Sequence, residues 1–254
     1  MKASELYDFI NRIAPFGASE SWDNAGLLVG SLKRETGRVL VSLDVTPEVV
    51  AEARRIGAGI ILSHHPVIFH PLRAVASDGL CAELIRADIT VISAHTCLDF
   101  AAGGVNDVLA MRLGLRNIRH FDMLPGGELS LGRIGELERE MEPEEFASFV
   151  KSALGCGGLS YTSGGGRVGT VAVSGGKLST QPEKALRLGC DALVSSEIKH
   201  SDFLEAHALG LTLVDAGHYY TENPVVAALA EKLSIQFPCV SFTVSRTPHP
   251  VSYM

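Results

Sequence analysis

Three short apolar runs in this chain end in histidine or carboxylate groups. Ile60-Ile61-Leu62-Ser63 leads into His64-His65-Pro66, Val91-Ile92-Ser93-Ala94 into His95 and on to Asp99, and Leu211-Thr212-Leu213-Val214-Asp215 into His218 and on to Glu222. Near-continuous apolar runs of strand length suit strands covered on both faces. Open α/β sheets place their ligand sites just beyond the carboxyl ends of the strands. Histidine with carboxylate is metal-ligand chemistry.

The rest of the chain keeps the same rhythm. A helix is expected over 3–14, followed by the polar loop Ser19–Gly26. A strand over 39–44 comes next, and Thr46-Pro47-Glu48 opens a helix with a cap, a proline at the first position and an acidic first turn. Strands are read at 59–63 and 89–94, with helices near 79–87 and 105–113. The stretch 121–141, with Pro125-Gly126-Gly127, breaks the rhythm and is read as the boundary between lobes. Beyond it lie a helix at 143–154, a glycine-rich loop at 155–166 and a strand at 168–174. Alternation then resumes with helix 182–188, strand 192–195, helix 201–209, strand 211–215, helix 223–233 and strand 239–244. The expectation is an α/β fold of two similar lobes, residues 1–120 and 121–254, with mixed, largely parallel sheets flanked by helices.

Composition narrows the function classes. Hydrophobic residues are 46% of the 254 and charged residues 20%, which supports a packed core and disfavours disorder. A net charge of −7 without a Lys/Arg cluster disfavours binding duplex nucleic acid by charge. Five scattered cysteines with no C-x-x-C pair argue against a secreted disulfide framework. No run approaches the ~20 apolar residues of a membrane span, and the first residues lack an apolar signal core. A soluble, cytoplasmic protein is expected.

His64, His65, Asp99, His218 and Glu222 are too many ligands for one tetrahedral zinc and suit two divalent ions bridged by Glu222 and a water. Nitrogen and oxygen donors without thiolate admit Zn, Mn, Fe, Co or Ni. On a continuing strand His64 and His65 would point to opposite faces, favouring one ligand for each ion. His95, Glu197 and His200 are candidates to orient ligands or to carry protons. Plainer readings compete: one histidine of the pair packs in the core, Asp99 or Asn106 caps the next helix, and Glu222 sits in a first helical turn facing the positive end of the dipole.

Two phosphate-binding patterns fail on context. Gly164-x-Gly166-x-x-Gly169 precedes a strand and opens no helix, and Gly175-Gly176-Lys177 lacks the spacing and the Ser/Thr of a P-loop. Cys97 reads as a small core residue rather than a nucleophile.

Six motifs carry a resemblance. They are Trp22-Asp23-Asn24-Ala25-Gly26-Leu27-Leu28-Val29-Gly30, Ser63-His64-His65-Pro66, His95-Thr96-Cys97-Leu98-Asp99, Gly103-Gly104-Val105-Asn106-Asp107, Glu197-Ile198-Lys199-His200 and Asp215-Ala216-Gly217-His218-Tyr219-Tyr220-Thr221-Glu222. In order and spacing the chain resembles the GTP cyclohydrolase 1 type 2 homologues, also called NIF-three-like proteins. The resemblance implies a two-lobed protomer with a dinuclear metal site between lobes and assembly into a hexameric ring, a trimer of dimers. It carries His64, His65, Asp99, His218 and Glu222 over as metal ligands. Trp22, Asn24 and Glu197 are candidates to contact substrate. Cys97, Ser195-Ser196 and Ser201 depart from the family's usual Asn, Thr-Gly and second His.

The function expected is a metal-dependent hydrolase resembling GTP cyclohydrolase 1 type 2. Two divalent ions per chain would activate a water against a nucleotide, a phosphoester or a ring C–N bond, with His95 or His200 moving protons. The competing expectation is a non-catalytic, metal-containing ring with a binding or chaperone-like role.

Overall fold

The structure is a computed structural model that describes residues 1–123, 130–178 and 180–252. In chain order its first elements are α1 (Ala3–Ile13), β1 (Gly26–Val29), β2 (Arg38–Ser42), α2 (Pro47–Ile56), β3 (Ile60–Ser63), α3 (Leu80–Arg86), β4 (Thr90–Ser93) and α4 (Thr96–Phe100). There follow α5 (Val105–Arg112), β5 (Arg116–Met123), β6 (Ser130–Met141), α6 (Pro143–Leu154), β7 (Ser160–Thr162) and β8 (Val168–Lys177). The last are α7 (Pro182–Arg187), β9 (Ala192–Ser196), α8 (His200–Leu209), β10 (Thr212–Asp215), α9 (His218–Glu222), α10 (Pro224–Gln236) and β11 (Ser241–Val244).

Residues 1–102 and 226–248 form one compact unit, and 103–225 with 249–254 the other. The sheet of the first unit runs β1-β4-β3-β2-β11. β2, β3, β4 and β11 are parallel, and β1 closes one edge antiparallel to β4. Alternate residues bury opposite faces, as a period of two requires. Leu40, Ile61 and Val91 pack with Val49, Val50 and Ala53 of α2 and Leu84 of α3, while Val39, Val41, Ile60, Leu62 and Ile92 are equally buried.

The sheet of the second unit runs β5-β6-β8-β9-β10-β7. β8, β9 and β10 are parallel, β6 pairs antiparallel with β8 and β7 with β10, and β5 pairs antiparallel with β6 at the edge. Val171, Val173 and Val194 pack with Leu109 of α5 and with Phe146 and Val150 of α6. Ala172, Leu193 and Leu213 pack on the other side with Ala185 of α7 and Ala206 of α8. The sheets are mixed, and the second is more antiparallel than the alternation alone suggests.

The observed units differ from a division at residue 120. The break in rhythm over 121–141 is where β5 pairs antiparallel with β6 inside the second unit, and its Pro125-Gly126-Gly127 lies outside the described residues. The expected last strand of the second lobe is β11, which pairs with β2 in the first sheet. Two consecutive antiparallel strands interrupt alternation as effectively as a linker does, and pairing partners far apart in sequence leave no local pattern. Among the described residues no helix is long and apolar enough to cross a membrane.

Candidate metal-binding site

In the first unit the parallel register sets Ser42, Ser63 and Ser93 side by side at the carboxyl ends of β2, β3 and β4. The chain just beyond each end therefore reaches the same edge, carrying Asp44, His64-His65 and His95. The ladder continues briefly through His64 N–H to Ser42 O at 3.2 Å and His65 N–H to Leu43 O at 2.8 Å. The hydroxyl of Ser63 donates to His65 O at 2.8 Å, which fixes the turn into Pro66. Because β3 ends at Ser63, His64 and His65 escape the alternation of a strand, and their rings lie 5.0 Å apart.

Each imidazole of this edge is held at Nδ1. The His64 nitrogen meets Ala94 O at 2.8 Å, that of His65 meets Asp44 Oδ1 at 2.7 Å, and that of His95 meets Asp23 Oδ1 at 2.6 Å. Burial alone would raise the Asp23 carboxyl. The hydrogen bonds and charge of His95, with Thr96 and the Asn24 amide, outweigh it and bring the group down to about 2. One ring nitrogen from each of His64, His65 and His95 lies within 4.8 Å of the other two. α4 brings Asp99 to the same edge, its Oδ1 at 3.5 Å from His64 Nε2. Asp99 thus stands inside a short helix of its own, α4. Burial pushes the Cys97 thiol up to about 11, as a packed core cysteine requires.

In the second unit β8, β9 and β10 also end together. Asp215 at the end of β10 accepts from Gly217 N–H and Ile198 N–H, each at 3.0 Å, and so ties the turn before α9 to the turn after β9. α9 is a single five-residue helix with Gly217 before it at φ 83°. His218 and Glu222 stand at i and i+4, on one helical face. His218 Nδ1 meets Glu197 Oε1 at 2.7 Å, and its Nε2 lies 2.9 Å from Glu222 Oε2. Glu222 therefore closes a short helix of its own, whereas the sequence suggests the opening turn of the one that follows. The Thr221 hydroxyl accepts Gly176 N–H at 3.0 Å.

The glycine pair that fails as a P-loop has a steric role. A Cβ on Gly176, whose φ is +67°, would collide with Glu222 Oε1 and approach His218 Nε2 to 3.4 Å. A Cβ on Gly175 would meet Val105 Cγ1 at 2.6 Å. Asn106 Oδ1 accepts Gly175 N–H at 2.8 Å, so the Gly103–Asp107 motif fastens this strand end.

The donor set fits a divalent metal. A metal-ligating histidine gives its other ring N–H to a carboxylate or carbonyl, as His64, His65, His95 and His218 do here. Two atoms each bound at about 2.1 Å to one ion lie about 3.0–3.4 Å apart at octahedral to tetrahedral angles. The 3.5 Å from His64 Nε2 to Asp99 and the 2.9 Å from His218 Nε2 to Glu222 bracket that range. Of the other expected residues, Trp22 lies with its ring edge-on to His95 at 6.1 Å. The Asn24 side chain donates to Ile68 O at 2.6 Å. Glu197, a candidate both to orient a ligand and to face substrate, bonds His218 Nδ1. His200 is exposed at the first residue of α8 and joins none of the ligand groups found among the described residues. Asp23 and Asp44 are the residues sequence reasoning passed over. The one available signal was that Asp44, like His64 and His95, follows directly on an apolar strand.

The fold and these side chains define a mixed α/β protein with histidine and carboxylate groups suited to a metal ion. The chain belongs to the Duf34/NIF3 (NGG1p interacting factor 3) family, whose model matches residues 1–250. A GTP cyclohydrolase 1 type 2 homolog of Clostridium perfringens is 33% identical over 253 residues, covering 97% of each chain. A Helicobacter pylori relative named GTP cyclohydrolase 1 type 2 also matches, covering 90% of each chain. The crystal structure of Staphylococcus aureus hypothetical protein SA1388 superposes with a TM-score of 0.93 at 29% identity, covering 100% of this chain and 99% of that one.

Proposed function

We propose that this chain is a metal-dependent hydrolase with a dinuclear centre. The residues we propose as its ligands are His64, His65, Asp99, His218 and Glu222. The observation that supports this reading most is that every one of the histidine ligands is held at Nδ1 by a carboxylate or a carbonyl, which directs Nε2 outward as the donor. Zn, Mn, Fe, Co and Ni all suit such a set.

Divalent ions held there would lower the pKa of a water towards ~7 and polarise the bond to be cleaved. The protein's own part is orientation and proton movement. Asp23 holds the His95 Nδ1–H, which leaves Nε2 to take and return a proton beside the ligand group. Asp44 and Glu197 fix the rings of His65 and His218. The names of the relatives favour a nucleotide with a ring C–N bond, and a phosphoester is the other substrate class this chemistry serves. A homohexameric ring is the assembly we propose for it.

Metal content per chain, measured on wild type and Glu222→Ala purified identically without chelator, tests the reading. About two divalent ions in wild type are expected, with a sharp fall in the variant. Turnover of a nucleotide or phosphoester that vanishes in His65→Ala then establishes hydrolysis. Wild type that stays empty after reconstitution overturns the proposal. Metal without turnover across a broad screen points to a non-catalytic ring.

A further inference from the structure

Beside His95 lies an aromatic pair that the ligand groups do not use. Trp22, the only tryptophan in the chain, is 57% exposed and Phe69 is 40% exposed. Their ring centroids are 5.9 Å apart, and each is 6.1 Å from the His95 imidazole. Two large aromatic rings left in water are uncommon neighbours unless a partner covers them.

The loops that carry the rings are also tied to one another. The Asn24 side chain donates to Ile68 O at 2.6 Å, joining the loop of Trp22 to the loop of Phe69. Asp23, next to Trp22, holds His95 Nδ1 and accepts the Thr96 hydroxyl at 2.6 Å. The residue that orients the imidazole, Asp23, therefore also anchors the loop that carries Trp22. Bases stack on such rings through their π faces, without the need for a particular set of hydrogen-bonding edges.

We propose that Trp22 and Phe69 form a stacking shelf for a planar aromatic ring, carried by the ligand on which the His95 edge acts. The hydrolase reading supplies what happens to that ligand; binding of the ring depends on the shelf alone. A single ring, rather than a protein, is the occupant because the shelf is two side chains wide and ends at an imidazole held by a carboxylate.

Trp22 is its own reporter. The full chain, as purified and again after chelation, is titrated with adenosine, a ring without phosphate, and with ribose 5-phosphate, a phosphate without the ring. Saturable change of Trp22 emission with adenosine alone is expected in both preparations. Equilibrium dialysis should show adenosine binding about 5- to 150-fold weaker in Trp22→Ala and in Phe69→Ala, and largely retained in Trp22→Phe. Absence of a saturable response overturns the shelf, as does an equal response to ribose 5-phosphate. A Trp22→Ala chain that changes its oligomeric mass while binding adenosine normally assigns the rings to contact between copies and also overturns it. Metal content, measured separately, fails or holds without affecting these readings.

Discussion

Glu197 shows how single residues are spent on the candidate site. Its backbone sits at φ 50°, in the left-handed region, where a residue with a Cβ loses about 1–2 kcal/mol. Asp88 and Asn117 share that region, but their short polar side chains tolerate it, whereas Glu gains nothing locally. What Glu197 gains is its bond to His218 Nδ1. Such strain is kept where surrounding structure uses it. Glu197→Gly removes the strain at a cost in unfolded-chain entropy of about 0.5–1 kcal/mol. The expected outcome is a chelated protein within about 1 kcal/mol of wild type by urea unfolding, with metal affinity down about 10- to 100-fold. Equal metal affinity would show that Glu197 does not orient His218. At this scale the histidines and carboxylates were legible because their chemistry is rare and they follow strands. Asp23 was not, because its partner His95 is 72 residues away.

Elements were legible where local rules act alone. Thr46 caps α2 through Val49 N–H at 3.3 Å, Pro47 opens it, and Gly57 ends it at φ 71°, all from adjacent residues. α4 and α9 escaped notice because a helix of five residues has barely more than one turn and shows no periodicity. β1 and β7 are short edge strands for the same reason. α2 also has a contact that no periodicity announces. Glu52, buried in its last turns, accepts from Ser245 Oγ at 2.6 Å, from Arg246 N–H at 3.1 Å and from Thr247 Oγ1 at 3.2 Å, tying down the segment after β11. Burial acts to raise its carboxyl, but these hydrogen bonds prevail and lower it. A lowered native pKa means that the charged form stabilises the fold above the ordinary carboxylate range, and that this is lost as pH falls through the native value. Glu52→Ala should cost about 2–3 kcal/mol at pH 7 by urea unfolding. The gap to wild type should narrow below the ordinary Glu value of 4.5. A gap independent of pH would show that packing, not charge, is lost.

The whole molecule depends on pairings between distant segments. The hexameric ring proposed above predicts a mass six times that of the chain by size exclusion with light scattering at micromolar concentration, and a monomer would sink it. Alternation of strand and helix, and the placing of histidine and carboxylate groups beyond strand ends, followed from the sequence alone, because both arise from periods of a few residues and from chain chirality. Only the tertiary structure decided that β11 returns to β2, that β5 pairs antiparallel with β6 where a boundary between lobes was expected, and which imidazole each of Asp23, Asp44 and Glu197 holds. Those choices are made by hydrogen bonds and packing between residues tens to hundreds of positions apart, and a local pattern carries no record of which distant partner is nearest in space.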